Sequence, residues 1–142
     1  MQRGPVLLET VARNAMAQAA ARASPHEMVG LVGGRQDGAA LQVVRFVLLP
    51  QAACGRNHFA VAPWQFAAAE AALRADGLQW LGFAHSHPAS EPVPSPIDER
   101  QLWPHCLQIV LGVARGAPAI RAFWLDADGV HQLRLHHQEI HA

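Results

Sequence analysis

Lysine is absent from this chain, and cysteine occurs only twice, as Cys54 and Cys106. The missing lysine leaves arginine to carry all the positive charge, a bias in which we read codon usage and no function. Two distant cysteines cannot build a disulfide framework, and neither belongs to a zinc-type Cys-Cys or Cys-His spacing. Reduced thiols, and with them a cytoplasmic setting, are the expectation. Charge is also scarce: Asp, Glu and Arg make up 15% of the residues, with 11 positive against 11 negative, and the isoelectric point is near 7.1. A balanced surface of this kind lacks the basic footprint of a nucleic-acid binder, so neither DNA nor RNA is an expected partner. No apolar run approaches the ~18 residues of a membrane span, so no membrane partner is expected either. The N-terminal Leu7-Leu8 pair is soon followed by Glu9, Arg13, Asn14 and Gln18, which interrupt any signal-like apolar stretch. Repeats and low-complexity tracts are absent.

What the chain has in quantity is apolar residues, 51% of a total of 142. That length and composition predict one domain spanning residues 1–142 with a single buried core. Leu7, Leu8, Val11, Ala15 and Ala19 recur at helical spacing and predict a helix from Val6 to Ala23, ended by Ser24-Pro25. "EMVGLVGG" and "LQVVRFVLLP" read as two strands of a hairpin bending at Asp37-Gly38, and "NHFAV" as a further short strand. Pro63 suits the first turn of a second helix, "WQFAAAEAALRA", which Asp76-Gly77 stops. "LQWLGFAHSH" is an almost unbroken apolar run, the mark of a central strand covered on both faces. After a proline-rich loop and a short helix over Pro96 to Trp103, "LQIVLGVA", "AIRAFWLD" and "VHQLRLH" predict a meander with turns at Gly116 and Asp128-Gly129. The expected class is α+β, with a loop at its working edge.

The chemistry gathers in "GFAHSHPASEPVPSPIDE", residues 82–99. On an extended strand alternate side chains share a face, so His85 and His87 point together while Ser86 points away. Pro88 keeps His87 extended. Ser95-Pro96-Ile97-Asp98-Glu99 then carries a helix-start signature, with serine at the cap, proline at the first position and acid in the first turn, which mounts Asp98 stiffly. Two imidazoles and a carboxylate suffice for catalytic zinc, which takes three protein ligands and keeps a fourth position open. Magnesium and calcium prefer oxygen shells. Zinc also brings the pKa of a bound water to about 7, and a nearby base must then manage its proton. Glu27, the acid in the otherwise apolar and glycine-rich "EMVGLVGG", is the candidate base. Remaining pairs, Cys54 with His58 and His105 with Cys106, match no structural zinc spacing. Histidines at 131, 136, 137 and 141 are expected in solvent.

The pattern H-x-H-P-x6-S-x2-D, realised as His85, His87, Pro88, Ser95 and Asp98 with Glu27 upstream, resembles the JAMM (MPN+) zinc metalloprotease family, including its prokaryotic JAB members. The likeness covers roughly Glu27 to Ala114. It implies a single MPN/JAB-type domain: a mostly antiparallel curved sheet flanked by two main helices, with a short helix after the metal loop. It also implies Zn2+ held by His85, His87 and Asp98, Glu27 as general acid and base, and Ser95 as a hydroxyl that holds the oxyanion or water. Met28-Val29 stands where the family often has a small residue or cysteine before the strand glycine, Gly30 here.

Hydrolysis of an amide, peptide or isopeptide, is the reaction such a centre performs. The chain has little room for the insertions with which members acting on ubiquitin chains grip their substrate. It is more similar to small stand-alone members that cut after the Gly-Gly tail of a ubiquitin-like or sulfur-carrier protein. Alternative expectations are a non-catalytic MPN-type scaffold that binds ubiquitin-like folds, and a phage-tail or cell-wall-associated peptidase, which would bring a further hydrolase domain. A zinc deaminase is excluded because its combined H-x-E and P-C-x-x-C signature is absent, the chain having no C-x-x-C.

Overall fold

The computed structural model describes residues 4–50, 53–54, 59–87, 105–112 and 119–138. In chain order these form β1 (Val6–Glu9), α1 (Thr10–Ala23), β2 (Val29–Asp37), β3 (Ala40–Leu48), β4 (Ala53–Cys54) and β5 (Phe59–Ala60). Then follow α2 (Pro63–Ala75), β6 (Gln79–His87), β7 (Cys106–Gly112), β8 (Ala119–Asp126), β9 (Gly129–Leu133) and β10 (Leu135–Gln138). The expected helix over Pro96–Trp103 and the turn at Gly116 fall outside the described residues.

Local chemistry explains most boundaries. Gly38, at φ +61°, makes the β2–β3 bend where the Asp-Gly pair calls for a left-handed residue. Helix α2 starts with Pro63 in its first turn, and the Gln65 side chain reaches back to accept the Ala62 N–H at 2.8 Å. It stops at Gly77, φ +72°, with Gly77 N–H bonded to the Arg74 carbonyl and Leu78 N–H to that of Leu73. At the β8–β9 turn the Asp126 carboxylate accepts from Asp128 N–H at 2.8 Å and pairs with the His131 ring at 2.9 Å. The His131 contact is the main reason the Asp126 carboxyl titrates below its ordinary range.

Eight strands form one sheet in the order β10-β1-β3-β2-β6-β7-β8-β9, and β4 pairs with β5 separately. The four pairings β2–β3, β2–β6, β7–β8 and β8–β9 are antiparallel, whereas β6–β7, β1–β3 and β1–β10 are parallel. Two expectations are corrected here. Val6–Glu9 is a strand and not the first turn of α1: Val6 and Leu8 are fully buried on alternate positions, and the segment is paired on both sides, by β3 and β10. Ladder bonds to two neighbours outweigh a helical apolar spacing that the same residues could also satisfy. The final "VHQLRLH" strand is really two, broken at Arg134, because its second half leaves β8 and lies parallel to β1. Since β9 and β10 occupy opposite edges yet are separated by one residue, the sheet must curl until its edges nearly meet.

One helix covers each face. Ala12, Met16 and Ala20 of α1 pack on Met28, Val32, Val43, Leu81, Ala84 and Ile109. Ala69 and Leu73 of α2 pack on Val29, Leu31, Phe83 and Cys106, with Phe66, Trp80 and Phe83 in edge or tilted ring contacts at 5.1–6.3 Å. Each fully buried leucine contributes about 1.5–3 kcal/mol to holding this arrangement. Strand β6 lies in the middle, and Gly82 allows it to approach β7: a Cβ there would stand 1.8 Å from the Leu107 carbonyl oxygen. The strand carrying the two histidines is thus clamped on both sides.

Candidate active site

His85 and His87 end β6, and the alternation places both on the α2 side with Phe83, while Ala84 faces α1. They are 0% and 5% exposed, with ring centroids 5.1 Å apart and planes inclined by 55°. Two imidazoles buried on one face of an apolar strand are costly unless each finds a partner, which makes the pair the candidate site.

Glu27 lies two residues before β2 and is 4% exposed. The antiparallel register pairs Val29 with His85; continued two steps, it sets Met28 beside Ser86 and Glu27 beside His87. Two hydrogen bonds fix that continuation. Ser86 N–H donates to the Met28 carbonyl at 3.0 Å, and Met28 N–H donates to the Ser86 hydroxyl at 2.8 Å. The acid lies 58 and 60 residues before the two imidazoles in the chain, so it is the sheet and not a loop that brings it to their end of β6.

Ser86 is the candidate positioning residue that sequence reasoning passed over, because the alternation turned it away from the histidines. It acts by positioning: its hydroxyl ties down the backbone next to Glu27. The available signal was a serine flanked on both sides by buried-strand residues, where a hydroxyl must find a backbone partner. Ser86→Ala leaves the buried Met28 N–H without its acceptor. The expected result is a loss of about 1–3 kcal/mol of stability, seen in denaturant unfolding.

Of the remaining expected site residues, Asp98 and Ser95 lie outside the described residues, as does the proline-rich loop before them. Among the described residues no group of three His, Cys, Asp or Glu side chains gathers for a metal, so His85 and His87 are the described pair that could share one. Cys106 is buried in the α2-side core, 3.3 Å from the Gln108 side-chain nitrogen that donates to it. Burial pushes its thiol up to about 12, against which the Gln108 bond acts weakly. In a Cys54→Ser protein the remaining thiol should react with a disulfide reagent at pH 8 roughly a hundredfold or more slowly than after unfolding, because so little thiolate is present. Thiol release followed by absorbance checks this. His131, His136 and His137 are exposed on β9 and β10.

A pocket of about 440 Å³ opens beside Glu27, between the C-terminal half of α1 and the ends of β2 and β3; Glu27 belongs to its lining and neither histidine does. No helix in the described residues is long and apolar enough to cross a membrane.

Comparison with known proteins agrees with this layout. A solution structure of a protein from Desulfitobacterium hafniense superposes with a TM-score of 0.88 at 30% identity, covering 95% of this chain and 94% of that one. A second, from Salinibacter ruber, shares the fold with a TM-score of 0.67 at 23% identity, over 92% and 90% of the two chains. No curated protein sequence matches the chain. Residues 9–126 match the family described as prokaryotic homologs of the JAB domain, a stretch that includes Glu27, His85, His87, Ser95 and Asp98. The chain belongs to the prokaryotic JAB-domain family.

Proposed function

We propose that this protein is a zinc-dependent metallopeptidase that hydrolyses the peptide or isopeptide bond following the Gly-Gly tail of a ubiquitin-like or sulfur-carrier protein. The observation that carries the reading is the buried His85–His87 pair with Glu27 set beside it by the β2–β6 register.

The donor set fits the metal. With zinc–nitrogen bonds of about 2.0–2.1 Å at a tetrahedral angle, two imidazole ring centres fall roughly 5 Å apart, and those of His85 and His87 are 5.1 Å apart. Asp98 would supply the third ligand, by its place in the motif. When bound, zinc supplies Lewis acidity toward the scissile carbonyl and toward water. Glu27 takes the proton from the attacking water and returns it to the leaving nitrogen, so one carboxylate serves as base and then as acid. Its burial at 4% exposure keeps bulk water from competing for that proton. The Ser95 hydroxyl donates to the oxygen on which negative charge develops. Ser86, through Met28, holds Glu27 in register during the transfer.

The recessed histidines support the substrate class. A centre whose ligands are 0% and 5% exposed is reached by a slim extended chain more readily than by a bulky one, and a diglycine tail carries no side chains to desolvate. The test is intact-mass analysis of a sulfur-carrier protein extended by one residue beyond its Gly-Gly tail, alongside the same carrier ending in Ala-Ala plus that residue. Release of the extension from the diglycine carrier, and much less from the dialanine one, is the expected result. Stable binding of the carrier with its mass unchanged would make the protein a scaffold instead.

A further inference from the structure

The pocket beside Glu27 has a composition that the hydrolytic centre does not explain. Its walls are apolar: Met28, Phe46 and Leu48 line the strand side, and alanines of α1 the other. Leu48 is 43% exposed, so this apolar surface continues to the lip. The polar part of the lining is Gln18 and two charged side chains of opposite sign, Arg22 in the last turn of α1 and Glu27. Arg22 is exposed and makes no ion pair among the described residues.

A volume of about 440 Å³ lies toward the small end of ligand pockets, which run from about 300 to 1,000 Å³. It holds one or two amino-acid residues and is too small for a folded surface. The charges orient such an occupant. A carboxylate would be repelled from the Glu27 side and would form a charge-assisted, two-pronged pair with the Arg22 guanidinium. An apolar side chain would fill the space between.

We infer that this pocket receives the C-terminal apolar residue of the substrate, reading its free α-carboxylate with Arg22 and its side chain with the Met28, Phe46 and Leu48 wall. The inference deepens the peptidase reading and rests on it, since it makes the enzyme one that trims a terminal residue or two from a tail and not one that cuts within a chain. Arg22 is a specificity residue here and takes no part in the proton transfer.

The test separates binding from hydrolysis. N-acetyl-L-leucine and N-acetyl-L-leucinamide are titrated into the isotope-labelled protein, with and without zinc, and backbone amide shifts are followed. The acid is expected to bind about tenfold more tightly than the amide, to shift Met28 and Phe46, and to keep that preference without zinc, which separates it from a carboxylate sitting on the metal. In Arg22→Gln the preference should vanish while the spectrum elsewhere stays unchanged, and KM for tails ending in a free carboxylate should rise about tenfold with kcat retained. Equal affinity for acid and amide, or a preference that survives Arg22→Gln, would overturn the assignment. Failure of the peptidase reading shows itself separately, as absent hydrolysis with the acid preference intact.

Discussion

Glu27→Gln is expected to lower kcat by about 10²–10⁴-fold with one equivalent of zinc still bound. Glutamine keeps the size and the polarity of the side chain, so the β2–β6 register and the Ser86 bonds to Met28 remain. What it removes, on the proposed mechanism, is the capacity to accept a proton from water and to return it to the leaving nitrogen. The loss should fall on kcat more than on KM, because the side chain acts on the transition state and not on the binding of the tail. Steady-state kinetics on the extended carrier, with zinc content measured on the same samples, checks both halves of the expectation.

His85→Ala and His87→Ala should act the other way, through the metal. Even outer partners of a metal ligand change affinity by about 10–100-fold when removed, so deleting an imidazole proposed to bind directly should cost more than about a hundredfold. Competition with a chromophoric chelator measures this, and hydrolysis should disappear in parallel. Both side chains are buried, which makes folding the necessary control. His87, at the end of β6 and 5% exposed, is the safer site than His85, which is fully enclosed between paired strands β2 and β7. Far-ultraviolet circular dichroism close to that of the parent protein is expected for His87→Ala. Together the variants separate two roles: Glu27→Gln keeps metal and loses turnover, while His87→Ala loses both.

The parts of this fold that could be read from the chain were those fixed by neighbours in sequence. The Asp37-Gly38 bend, the α2 boundaries at Pro63 and Gly77, and the apolar β6 run all depend on local conformational preference or on period-two burial. The same periodicity put His85 and His87 on one face, as the structure has them. What the chain did not disclose depends on distant partners. Val6–Glu9 is a strand because β3 and β10 flank it, and β10 begins more than a hundred residues later. Nothing between Leu133 and Leu135 advertises that the chain crosses there from one sheet edge to the other. Ser86 escaped notice for a related reason: its partner, the Met28 backbone, is invisible without the strand pairing. The pocket under Arg22 likewise needs α1 and the end of β3 brought together.

The most direct test of the account is a zinc titration of metal-free protein in the presence of the extended carrier, with released tail quantified by mass at each addition. The account predicts no release without zinc, a rise to a plateau at one equivalent for the parent protein, and a flat line for Glu27→Gln. A parent protein that takes up its equivalent of zinc and releases no more tail than Glu27→Gln would contradict it.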